Sequence, residues 1–126
     1  MVVLLSKETM KSKRSRRSKR TKATDIPMSV KKIVWERDNG CCVVCGNNYN
    51  VMPNAHILSR HNLGRGIETN IVTLCTEMTE NKCHRKFDFG TKQEREEILE
   101  KITKYMKSIY GDSWNIDDQR YNKWEK

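Results

Sequence analysis

The chain has 126 residues, 33% of them charged, and a formal net charge of +9. A chain this short and polar has room for one domain with a modest apolar core, and such a core calls for an added staple, a metal or disulfides. The opening apolar run Val2-Val3-Leu4-Leu5 is too short for a signal peptide or a membrane span, so the expectation is a cytoplasmic protein with no membrane partner.

Taken in chain order, the first feature is a block of positive charge. Lys11, Lys13, Arg14, Arg16, Arg17, Lys19, Arg20 and Lys22 fall within twelve positions that hold no acid, whereas residues 23–126 carry sixteen basic and fifteen acidic groups. A like-charge run without apolar residues repels itself and cannot nucleate a core, so residues 1–24 are expected to form a disordered basic arm. Its natural partner is nucleic acid, through counterion release; a solubilising tail is the plainer alternative.

After the arm, Pro27 precedes Met28, Val30, Ile33 and Val34 at three- and four-residue spacing, which predicts a short amphipathic helix ending at Asn39-Gly40. A Cys-x-x-Cys knuckle and a polar loop, Asn47 to Asn50, follow. Met52–Leu58 is a candidate strand containing His56, though its alternation is weak. The segment Ser59–Thr69, with Gly64, Gly66, Arg60 and Arg65, predicts a mobile loop whose arginines contact phosphate or are plain surface charge. Ile71–Leu74 has the length of one strand. Cys83–Phe89 is expected to open a helix, and residues 92–110 place Ile98, Leu99, Ile102, Tyr105, Met106 and Ile109 on one face, with Gly111 as the stop. That helix is expected to cover its own module, giving a monomer, with a dimer face as the alternative. The folded domain, including this covering helix, would span residues 25–110, and 111–126 would be a tail without readable period.

The five cysteines stand at 41, 42, 45, 75 and 83. An odd count with one tight pair favours metal thiolates over a disulfide framework. Cys42 and Cys45 supply one pair, and Cys75 and Cys83 a second after a 29-residue gap, completing a tetrahedral site for structural zinc. The second pair is separated by seven residues, Thr76 to Lys82, wider than the usual knuckle. Two alternatives stay open at this point: Cys41 in place of Cys42, and His84 in place of Cys83.

In order, the Cys-x-x-Cys pair, His56, the run Asn70-Ile71-Val72-Thr73-Leu74-Cys75 and the dipeptide Cys83-His84 resemble the HNH (His-Asn-His) endonucleases of the ββα-metal, or His-Me finger, class. The resemblance covers about residues 28–90 and implies an α+β fold, a zinc-stapled ββα nuclease module with flanking helices. It implies that His56 is the general base, that Asn70 ties the loop orienting it, and that His84 ligates a catalytic divalent ion, Mg²⁺ or Mn²⁺. Asp88 lies four residues after His84, on the same helix face, and is the candidate second ligand. Many relatives carry Asp or His directly before the base, where this chain has Ala55, leaving Asn54 or His61 as candidate substitutes.

The implied reaction is hydrolysis of double-stranded DNA to 5′-phosphate and 3′-hydroxyl ends. Small stand-alone relatives are common in bacteriophages near packaging genes, which would place the protein in host cytoplasm with a terminase as a possible partner. The alternative reading is a non-catalytic, zinc-containing DNA-binding protein.

Overall fold

A computed structural model describes residues 18–122. In chain order the elements are α1 (Lys19–Thr24), α2 (Met28–Arg37), β1 (Val51–His56), β2 (Ile71–Cys75), α3 (Cys83–Phe89) and α4 (Lys92–Tyr110), with single 3-10 turns at Arg60–Asn62 and Asp117–Gln119. The architecture is α+β: one two-stranded antiparallel sheet with helices packed around it. None of the described helices is long and apolar enough to cross a membrane.

The sheet carries a bulge. Val51 and Met52 pair with Cys75 and Leu74, while Ala55 and His56 pair with Val72 and Ile71, so β1 fits one residue more than β2 between Met52 and Ala55. Pro53 lies in that stretch; lacking an N–H it cannot donate to the ladder, and a bulge tolerates this. Every residue of β2 is buried, because α2 packs on both strands and α3 packs on β2 and on α4.

The core joins Val51, Ala55, Ile57, Val72, Leu74, Ile98, Ile102, Met106 and Trp114 with three of the cysteines. Ile98, Ile102 and Met106 are spaced by four, which gives α4 its buried stripe. Its start is fixed by a capping box in which Thr91 and Glu94 bond each other's backbone N–H. Ile109, expected on the same face, is 41% exposed. The apolar periodicity of α2 also overstates its burial: Val34 is inside, Met28 and Ile33 are exposed, and Val30 is only partly covered.

A polar network that no sequence period announces crosses this core. Asp38 is buried and accepts from the Thr73 backbone N–H, from Tyr105 Oη at 2.5 Å and from the Arg37 guanidinium. Arg37 also donates to the carbonyls of Glu68 and Ile71 and to Tyr110. Burial opposes the Arg37 charge, but Asp38 and Tyr110 outweigh it and hold the group protonated above its ordinary value. Burial, followed by the bond to Asp38, pushes the Tyr105 hydroxyl up to about 12.

Three expectations need correction. The end of the basic arm is not irregular: Ser18 caps α1 by accepting from the Thr21 N–H, and Ala23 accepts from the Gly66 N–H. Residues 1–17, with Lys11, Lys13, Arg14, Arg16 and Arg17, lie outside the described residues. Nor is Ser59–Thr69 a loose loop. A Cβ on Gly64 would sit 1.7 Å from the Leu58 carbonyl oxygen, and one on Gly66 1.9 Å from that of Asp25; the glycines serve close approach rather than mobility. Finally, the module does not end at residue 110. Trp114 is buried and donates from Nε1 to the Thr69 carbonyl, Gly64 and Arg120 form a β-bridge, and Tyr121 N–H bonds the Leu63 carbonyl.

Candidate functional site

The knuckle is built by short-range backbone bonds. Cys42 N–H bonds the Asn47 carbonyl, and Gly46, at φ +82°, returns its N–H to the Cys42 carbonyl. A bond from Val43 N–H to the Thr73 carbonyl then docks the knuckle on β2, whose last residue is Cys75. The seven intervening residues fold into a turn stabilised by Thr76 and Thr79, with Lys82 in the left-handed region, and bring Cys83 back at the first position of α3.

The Sγ atoms of Cys42, Cys45, Cys75 and Cys83 consequently all lie within 4.8 Å of one another. Four sulfurs about 2.3 Å from a tetrahedral ion stand about 3.8 Å apart, and the Cys45 and Cys75 sulfurs are separated by 3.8 Å. The cysteines are not joined in disulfides, and Cys83 N–H donates to Cys75 Sγ at 3.2 Å. Hydrogen bonding from Cys83, then nearby backbone N–H groups, draws Cys42 down to about 4 against its own burial. The same bond raises Cys83, and burial raises Cys45. This donor set fits a soft, tetrahedral cation such as zinc. Cys41 stands apart, its sulfur against the Asn39 carbonyl, and the fourth member of the cluster is Cys83 rather than His84.

His56 is the last residue of β1. Its Nε2 lies 2.8 Å from the Thr24 carbonyl oxygen at the end of α1. A carbonyl only accepts, so Nε2 carries the proton and Nδ1 keeps the lone pair when the ring is neutral. Burial lowers the His56 pKa below its ordinary 6.5, the Thr24 carbonyl opposes this, and the Arg60 charge adds to the lowering.

Asn70 is fully buried immediately before β2. Its Oδ1 accepts from Leu58 N–H at 2.8 Å, and its Nδ2 donates to the carbonyls of Leu58 and Arg65. A bond from Ile57 N–H to the Asn70 carbonyl completes the tie. Both ends of the loop that follows His56 are thereby held by one residue.

On α3, His84 Nε2 lies 3.2 Å from Asp88 Oδ2, one turn away. Asp88 lines two adjoining depressions. One, of about 450 Å³, also contains His56, Asn62, Lys92 and Arg95; the other, of about 190 Å³, contains His84, Glu77 and Arg85. His56 is within electrostatic reach of both Asp88 and His84. Strand β1 and helix α3 thus bring an imidazole, a second imidazole and a carboxylate to neighbouring depressions. Such a set can accept a proton and can hold a divalent cation.

Ala55 is fully buried and pairs with Val72, so the position before His56 faces the core rather than the depression. Asn54 Oδ1 is buried without a hydrogen-bond partner. His61 lines a different groove, of about 430 Å³, with Ser18, Arg20, Thr21, Thr24 and Arg60. Arg60 is ion-paired with Asp25, and Arg65 donates to the carbonyls of Asp118 and Gln119. Lys19, Arg20 and Lys22 are exposed on α1.

Three contributors escaped the sequence reading. Thr24 acts through a backbone carbonyl, which has no sequence signature. Lys92 and Arg95 sit at the start of α4, four and seven residues beyond Asp88, and their distance from the histidine motifs hid them. Compared with known proteins, the chain matches no family model, no curated protein and no solved structure.

Proposed function

We propose that this chain is a metal-dependent DNA endonuclease of the HNH, ββα-metal type. The observation that carries the reading is that His56, with Nε2 committed to Thr24, shares one depression with Asp88, whose Oδ2 lies 3.2 Å from His84 Nε2. In this reading Nδ1 of His56 takes a proton from water. The resulting hydroxide attacks phosphorus, and the bond to the 3′ oxygen breaks, leaving a 5′-phosphate and, once that oxygen is protonated, a 3′-hydroxyl.

His84 and Asp88 would hold the divalent cation, with Mg²⁺ or Mn²⁺ suited to a site whose remaining ligands are water and phosphate. When bound, such a cation supplies positive charge beside the phosphate oxygens as negative charge grows on them. Asn70 keeps the loop after the base in register. Lys92 and Arg95, on the wall of the same depression, and the basic groove of Arg20, Arg60 and His61 are the surfaces for the duplex backbone. The four-cysteine cluster would hold zinc in a structural role, because four thiolates leave no position open for substrate.

One observation favours the second reading, a DNA-binding zinc module without catalysis: the buried Ala55 contributes no ligand. Relaxation of supercoiled plasmid by purified protein with Mg²⁺, Mn²⁺ or a chelator separates the two. Nicking that depends on an added ion is expected. Unchanged plasmid under every ion, with duplex binding intact, would favour the module.

A further inference from the structure

The basic helix does more than carry charge. Its exposed side is cationic, but its final residue, Thr24, is 2% exposed and presents its carbonyl to His56 Nε2. Thr24 Oγ1 bonds back to the carbonyls of Arg20 and Thr21, which fixes the direction of the last helical turn. The helix is moored to the loop by Gly66 N–H on the Ala23 carbonyl and by the Arg60–Asp25 ion pair. Gly66 allows this approach because no side chain stands between it and the Asp25 carbonyl.

We propose that α1 is the positioning element of the base: the Thr24 carbonyl selects the Nε2–H tautomer of His56 and turns Nδ1 toward the depression shared with Asp88. Thr24 is a positioning residue acting through its backbone, and the inference rests on the reading of His56 as the base. The physical reason is that a neutral imidazole has one donor and one acceptor nitrogen, and whichever bond one nitrogen makes fixes what the other can do. Without the carbonyl, the ring would populate both tautomers and both ring orientations. The segment that binds nucleic acid and the segment that aims the base are then one piece of chain.

The test is nitrogen-15 NMR of the His56 ring in the full chain, without DNA, comparing the parent with Gly66→Ala and Arg60→Gln. The added methyl of Gly66→Ala collides with the Asp25 carbonyl and displaces the end of α1; Arg60→Gln loosens the same segment without steric insertion and serves if Gly66→Ala does not fold. The parent is expected to show the Nε2–H tautomer, and the variants a mixture. Single-turnover cutting at saturating DNA should fall by about 100-fold in Gly66→Ala, as about 1 Å of misplacement does for a reacting group. A parent ring protonated on Nδ1, or a variant ring indistinguishable from the parent's, would overturn the proposal. A parent with the Nε2–H tautomer that cuts no duplex would uphold the Thr24 contact and overturn the nuclease reading, so the two failures are distinguishable.

Discussion

Burial of His56 has a consequence for rate. As the proposed general base, His56 would work while unprotonated, and burial lowers its pKa below the ordinary 6.5, so the acid limb of the pH dependence of kcat/KM is expected to have its midpoint below that value. A cation held by His84 and Asp88 would lower it further by repulsion. A midpoint above 6.5 would mean the titrating group is not this imidazole. Ala55 offers a second residue-scale test. Ala55→Asp would place a carboxylate directly before His56, but at a position with no exposure. It is expected to destabilise the fold by about 3 kcal/mol or more, read by denaturant unfolding, rather than to raise activity. At this scale the four cysteines were legible, because thiolate spacing constrains them. The inward direction of Ala55 was not, since it depends on a bulge that residue type does not encode.

The helices at the C-terminal side were the most readable elements. α3 and α4 have the bounds expected, because apolar spacing, the Thr91–Glu94 box and Gly111 at φ +100° all agree. Thr91→Ala should therefore cost about 1 kcal/mol in thermal or chemical denaturation, as loss of a helix cap does; an unchanged midpoint would show that packing alone fixes the start of α4. The elements misread share one cause. In α1 a run of charge concealed the capping Ser18 and the inward Thr24. In the loop after β1, glycine suggested freedom, whereas contact with the carbonyls of Leu58 and Asp25 demanded the missing side chain. Tertiary contact, not local preference, decided both.

Across the whole molecule, two clamps hold the site. The cysteine cluster joins the knuckle, the end of β2 and the start of α3, so it fixes α3 and its His84–Asp88 pair against the strand pair that carries His56. With zinc in the cluster, as proposed, its removal by a strong chelator is expected to unfold the module, because binding free energy at such a site is folding free energy; dispersed amide resonances that persist after the metal is gone would contradict this. The second clamp is the folded-back segment of Trp114 to Tyr121, which bonds the backbone of Leu63, Arg65 and Thr69. It was read as a tail because one buried tryptophan among charges has no period. Phe87 of α3 and Ile116 of the folded-back segment both line the depression that holds His56 and Asp88. The most direct test is nicking of supercoiled plasmid by the parent and by His56→Ala under the same Mg²⁺ or Mn²⁺ conditions. The substitution is expected to abolish nicking while zinc content and duplex affinity persist; equal nicking by the two proteins would contradict the assignment of His56 as the base.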